Sequence, residues 1–123
     1  MTILLDTHVL LWALADPGQL SDSRRQLIED RSNTVYASAV NASEIAIRAS
    51  IGKLTMEGDV ISLVEEMGVE WIDFTPAEAL RLQSLPFHHC DPFDRMLVCQ
   101  ALERGIPIMT DDTKIPAYGC RIV

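Results

Sequence analysis

Apolar positions fall in short runs along the chain, separated by acids, glycines and prolines. Thr2–Leu5 is a brief apolar run that stops at Asp6, and Thr7–Ala15 then has helical character up to Asp16-Pro17-Gly18. That order predicts a strand, a sharp turn at an acid and a helix. Ser21–Arg31 reads as a second helix with Ser21 or Asp22 as N-cap and Leu27 and Ile28 inward. Thr34–Ser38 reads as a strand and Ala39–Ile51 as a helix closed by Gly52. Gly58–Met67 reads as a further helix with Gly68 at its exit, followed by a strand over Val69–Phe74. Pro76–Ser84 and Pro92–Arg104 each begin with proline where a first helical turn tolerates it. Ile106–Thr110 reads as a strand and Cys120–Val123 as a last short one. Strands thus alternate with helices from end to end, without repeats or linker-like stretches. This predicts one α/β domain over 1–123 with a mostly parallel sheet.

Two ends of predicted strands carry acids: Asp6 after the first, and Asp111 and Asp112 after I-P-I-M-T. In open parallel sheets ligands bind beyond the carboxyl ends of the strands. Asp is also a favoured helix N-cap, so each acid has a structural alternative. At about 100° per residue, Val40, Glu44, Ile47 and Ile51 share one helix face, with Asn41 and Arg48 on one flank and Ser43 and Ser50 on the other. Glu44 is then a carboxylate inside an apolar stripe, which needs a partner; Arg48 at i+4 is one candidate. In His88-His89-Cys90-Asp91-Pro92-Phe93-Asp94-Arg95, Pro92 makes Asp91 the N-cap and Asp94 the third helical residue. Asp94 heads a stripe of Leu97, Val98 and Ala101, so it faces the edge of the core.

The formal net charge is −8, from 10 Lys and Arg against 18 Asp and Glu. This excludes a simple cationic nucleic-acid clamp, and Arg24, Arg25, Arg48, Lys53 and Lys114 are too scattered to trace a track. Three cysteines without C-x-x-C spacing argue against a disulfide scaffold and for a reducing cytoplasm. The N-terminal apolar run holds Asp6 and His8, so it reads neither as a secretory signal nor as a membrane span. If Asp6, Glu44, Asp94 and Asp112 converge, they cannot all stay ionised without compensation. Mg²⁺ or Mn²⁺, which favour oxygen ligands, would supply it.

Four ordered motifs, I-L-L-D-T-H-V-L-L-W-A-L, S-x-x-x-A-S-E-I-A-I-R-x-x-I-G-K-L, H-C-D-P-F-D-R-M-L-V-C-Q-A and I-M-T-D-D-x-x-I, resemble PIN domains over nearly the whole chain. The likeness is to the VapC-type toxins of toxin–antitoxin pairs, in the branch whose third motif reads D-P-F-D-R. The resemblance implies an α/β/α fold and a Mg²⁺- or Mn²⁺-dependent endoribonuclease. It places the four catalytic, metal-holding acids at Asp6, Glu44, Asp94 and Asp112, with Thr110 before the fourth and Asp111 as the alternative register. It leaves Thr7 to support the first acid, Asp91 as a cap or outer ligand, and Arg95 to pair with Asp91 or a phosphate, the alternative for Arg95 being a solvated helix residue. It further implies a cognate VapB-type antitoxin, often presenting a basic side chain to the acids, and a homodimer.

Other readings follow from the residues alone. His88, His89 and Cys90 are zinc-ligand types, but adjacent residues rarely chelate one ion together. A phospho-acceptor receiver domain would need Asp73 as acceptor and Lys114 as its late lysine. A catalytically silent PIN-like binding module would leave the acids structural. Trp12 and Trp71 lie in apolar runs, which favours the core over base stacking.

Overall fold

The computed structural model describes Met1–Val123. Four strands, β1 (Thr2–Leu5), β2 (Thr34–Ser38), β3 (Glu70–Ile72) and β4 (Ile108–Met109), form a sheet in the order β3-β2-β1-β4. Every pairing is parallel; Leu4 lies opposite Tyr36 on one side and Ile108 on the other. Six α-helices accompany the sheet: α1 (Thr7–Ala15), α2 (Asp22–Glu29), α3 (Ala39–Ser50), α4 (Val60–Glu66), α5 (Pro76–Leu80) and α6 (Pro92–Arg104).

The alternation of side chains along a strand divides the interior in two. Ile3, Leu5, Val35, Ala37 and Met109 point to one face and pack with Val9, Leu10, Leu20 and Val64. Leu4 and Ile108 point to the other and pack with Leu97, Val98, Cys99 and Ala101 of α6. A sheet covered on both sides has continuous apolar strands, as the runs here are. The result is the expected three-layer α/β/α arrangement.

Several elements are shorter than their sequence patterns, each for a local reason. α2 stops at Glu29, not Arg31, because the Asp30 carboxylate takes the N–H and hydroxyl of Ser32 and turns the chain away. α4 starts at Val60, not Gly58: Asp59 caps it through the Ile61 N–H, and Gly58 sits at φ +87°, outside helical space. The helix from Pro76 tightens into a 3₁₀ turn over Arg81–Ser84. β3 covers only Glu70–Ile72 of the predicted Val69–Phe74. β4 is reduced to two residues; Pro107 just before it has no N–H to give to a ladder. The predicted strand at Cys120–Val123 is a single parallel bridge from Ile122 to Ile108.

The larger correction concerns α3. Ile47 and Ile51 are not inward; they are 49% and 61% exposed. The buried face is Val40, Asn41, Glu44 and Ile45. Asn41 sets this rotation. Its amide donates to the Leu5 carbonyl (3.3 Å) and the Thr7 hydroxyl (3.0 Å), while its oxygen accepts the Ser38 N–H (2.7 Å). Helix α3 is thereby turned to place a polar residue against the carboxyl ends of β1 and β2, and Glu44, one turn on, is buried with it.

A second buried polar group ties α5 to α6. Glu78 accepts the Thr75 N–H (2.9 Å), the Gln100 amide (3.2 Å) and Arg104 Nε (2.9 Å). Burial pushes its carboxyl up, but the Arg104 guanidinium, then the Thr75 N–H and the Gln100 amide, outweigh this and hold it below the ordinary glutamate value. A depressed carboxyl stabilises the fold above the unfolded pKa, and that contribution is lost as pH falls through the folded one. Arg104→Ala is expected to cost about 2 kcal/mol in urea unfolding at pH 7, below the usual cost of breaking a buried pair because Arg104 is partly exposed. The loss should shrink below about pH 4. A pH-independent difference would refute the assignment.

Candidate active site

Helix α1 begins immediately after β1, which makes Asp6 its N-cap: Oδ1 accepts the Val9 N–H at 2.8 Å. The Asp6 N–H in turn donates to the Met109 carbonyl of β4 at 3.1 Å. This places Asp6 beside the segment leaving β4. There the Asp112 N–H donates to the Thr110 hydroxyl (3.0 Å), and Asp112 Oδ1 accepts the Lys114 N–H (2.8 Å). Asp94 sits in the first turn of α6. Asp91 caps that helix, taking the N–H groups of Phe93 (2.8 Å) and Asp94 (3.0 Å) on Oδ1. Asp6, Asp94 and Asp112 line one cavity of about 300 Å³ together with His8, Trp12 and Asp111.

Between two of these acids stands His89. Its Nε2 is 2.6 Å from Asp112 Oδ2 and 3.0 Å from Asp94 Oδ2. Its Nδ1 accepts the Asp91 N–H at 3.0 Å. An accepting Nδ1 carries no proton, so the ring is the neutral Nε2–H tautomer, and its one proton is shared by two carboxylates. One ligand atom from each of His89, Asp94 and Asp112 lies within 4.8 Å of the others. From the sequence, His89 stands out only as a zinc-ligand type. Its place depends on the loop before α6, which local patterns do not determine.

Glu44 is not among the residues that line the cavity, although its charge reaches Asp94. It is 4% exposed, and Oε2 pairs with Arg48 at 2.9 Å. Its Oε1 is buried with no partner within the chain. The i+4 ion pair therefore exists, but it satisfies only half of a buried carboxylate.

Crowding shows in the acidities. Burial pushes Asp94 up to about 7; the charge of Asp91 adds to this, His89 opposes it, and Glu44 and Asp6 raise it further. Burial likewise raises Asp6 against the Thr110 hydroxyl, the Val9 N–H and His8. Asp112 is also pushed up by burial, but the Lys114 N–H and His89 bring it below the ordinary value.

The remaining residues singled out by sequence divide clearly. Asp111 borders the cavity but is paired with Arg24 on α2, which also donates to the carbonyls of Thr110 (2.8 Å) and Val123 (3.1 Å). Thr7 does not bond to Asp6; its hydroxyl takes the Asn41 amide. Arg95 meets neither Asp91 nor solvent. It is 6% exposed and donates to the carbonyls of Pro86 (2.7 Å) and Leu85 (3.2 Å) and to Tyr118 Oη (3.1 Å). Tyr118 Oη also receives the backbone N–H groups of His88 and His89. Arg95 thus holds the loop that carries His89. His88 packs edge-on against Tyr118 and Cys90 is exposed, so the His-His-Cys run does not gather as a zinc set. Trp71 donates its indole N–H to the Ile61 carbonyl at 3.2 Å, whereas Trp12 borders the acidic cavity.

The donor set fits a hard divalent cation. It offers Asp94 and Asp112 oxygens within 4.8 Å of each other, Asp6 on the same cavity, one buried carboxylate oxygen without a partner, and an Asp94 carboxyl pushed up by burial and then by the charge of Asp91.

The PIN domain family model matches residues 3–119. Ribonuclease VapC22 of Mycobacterium tuberculosis is 30% identical over 120 residues, covering 95% of this chain and 92% of that protein. VapBC2 of Rickettsia felis, in a structure bound to a DNA fragment from its promoter, superposes with a TM-score of 0.75 at 15% identity, covering 100% of this chain and 98% of that one. A DNA-bound VapBC of Salmonella typhimurium gives 0.74 at 18% identity, covering 100% and 97%. These likenesses set aside the receiver-domain reading. With its acids gathered at the carboxyl ends of β1 and β4 and a sequence match running nearly end to end, the chain belongs to the PIN domain family and is of the VapC type.

Proposed function

We propose that this chain is the toxin of a type II toxin–antitoxin pair, an endoribonuclease that hydrolyses RNA phosphodiester bonds at the acidic cavity with Mg²⁺ or Mn²⁺. The observation that carries the reading is the convergence of Asp6, Asp94 and Asp112 on one cavity, with a buried, half-partnered Glu44 carboxylate whose charge reaches Asp94. The ribonuclease name of the mycobacterial relative and the VapBC assemblies of the structural neighbours support it.

Asp6 and Asp94 are the residues to hold the cation, with Glu44 and Asp112 completing the set. A bound divalent ion offsets the carboxylate charge, polarises a phosphate and lowers the pKa of a water. Asp6 is held by the N–H of Val9 at its own helix N-terminus, and the Asp91 cap fixes the first turn of α6 from which Asp94 projects. Glu44 orients a water or takes its proton. His89 keeps Asp94 and Asp112 close by giving both the same proton. A cognate VapB-type antitoxin is the natural inhibitor. A basic side chain entering the cavity would satisfy the same carboxylates and displace the cation.

Cleavage of total cellular RNA by the purified, antitoxin-free protein tests the reading. Discrete fragments should form with Mg²⁺ or Mn²⁺ and vanish with chelator. Asp112→Asn should lower kcat/KM by at least roughly tenfold, the lower end for losing a group that supports a metal site. Asp111→Asn should stay within about fivefold, the most that an exposed ion pair is worth. Folded protein that cleaves no RNA with either metal would leave a silent binding module, and equal losses for the two substitutions would undo the choice of Asp112.

A further inference from the structure

One side of the cavity is formed by the aromatic rings of His8 and Trp12, which the metal chemistry does not use. His8 and Trp12 are four residues apart on α1, so they share a face. Their ring centroids are 6.1 Å apart with planes inclined at 44°. Trp12 is half-buried. It packs against the core on the inner face of the sheet and also borders the cavity, while His8 is exposed. The two tryptophans differ in one telling respect. The Trp71 indole N–H is spent on a backbone carbonyl, whereas that of Trp12 makes no hydrogen bond within the chain. The rest of the lining is Asp6, Asp94, Asp111 and Asp112, with no lysine or arginine.

That lining cannot hold a polyanion by charge. Affinity beside the acids has to come from the cation and from uncharged contact, and an indole face with a free donor supplies the second. A space of about 300 Å³ admits one base and its phosphate. We propose that Trp12, edged by His8, is the seat on which a base of single-stranded RNA stacks beside the scissile phosphate. The proposal rests on the ribonuclease reading for its substrate and goes beyond it by assigning the base contact to α1. Stacking on an aromatic ring tolerates any base, so Trp12 would position the strand while other contacts select the sequence.

The first test uses short single-stranded RNAs in which one abasic residue is walked across the cut bond. At one flanking position the missing base should raise KM about tenfold, within the range of a single base–aromatic stack. Trp12→Leu should raise KM on intact RNA by a similar factor, with kcat changed less, and the abasic RNA should then cost it nothing more. Trp12→Phe, which keeps a ring, should stay near the wild type. Independent, multiplying effects of the abasic residue and Trp12→Leu would overturn the seat, as would an unchanged KM in Trp12→Leu. A second measurement does not need turnover. In a Trp71→Phe background, shown to be folded by its thermal transition, single-stranded RNA with Mg²⁺ should quench the Trp12 emission. Quenching without cleavage of any RNA would keep the seat and remove the ribonuclease reading; absence of quenching would remove the seat whether or not RNA is cut.

Discussion

Asp94→Asn should abolish most RNA cleavage while making the metal-free protein more stable at neutral pH. The activity loss is expected to be at least about a hundredfold, since even outer-sphere partners of metal ligands cost roughly 10- to 100-fold. The stability gain follows from the acids already gathered there. Asp94 is raised from 3.8 to about 7, first by burial and next by the charge of Asp91. A carboxyl whose folded pKa lies above its unfolded one contributes stability that is full below about pH 4 and is lost as pH rises through about 7. The metal-free wild type should therefore show a Tm that falls across that window and then levels. The asparagine variant has no charge to confine, so its Tm should fall less and exceed that of the wild type at pH 8. Added Mg²⁺ or Mn²⁺ should raise the wild-type Tm most at pH 8, because binding to the native state stabilises by mass action. Differential scanning fluorimetry at pH 4.5, 6 and 8, with chelator and with metal, reads all of this. A variant less stable than the wild type at pH 8 in chelator would show that Asp94 is held by structural bonds and not crowded by charge.

Arg95→Ala should be the most damaging substitution outside the acids. The guanidinium bonds to two carbonyls and the Tyr118 hydroxyl, and it lies over the Phe87 ring at 4.0 Å to the centroid. Its removal leaves the buried Leu85 carbonyl unpaired and frees the loop at Pro86 and Tyr118, with an expected cost of about 3 kcal/mol in urea unfolding. Lysine should not rescue, because one ammonium cannot reproduce the fork that spans Leu85, Pro86 and Tyr118. Activity should fall with stability, since the same loop presents His89 to Asp94 and Asp112. A urea midpoint unchanged from the wild type would mean that Arg95 is dispensable to the loop.

The parts of the site that sequence reveals are those built by short-range rules. Asp6 ends an apolar run and starts a helix, and Asp94 follows a proline-marked cap, so both positions are readable from a few neighbours. The strand-helix alternation makes the parallel sheet readable for the same reason. The helical period places Glu44 on an inward face correctly but misplaces Ile47 and Ile51, which are exposed. Rotation of α3 is decided by Asn41 bonding to Leu5 and Thr7, more than thirty residues away. Nor does spacing separate Asp111 from Asp112: one is claimed by Arg24 and the other by His89, both distant in sequence. Arg95 misleads because a charged residue in a helix is more often solvated than buried; only the folded loop before α6 gives it carbonyls to bond.

Strand β1 lies at the centre of the sheet, yet its neighbour β4 comes more than a hundred residues later, and Asp6 meets Asp112 only once that pair has closed. Because domains form as synthesis proceeds, at about 5–20 residues per second, the early acids wait several seconds for the late one. A chain still on the ribosome thus has no closed β1–β4 pair, and Asp6 and Asp112 come to one cavity only after β4 has been made.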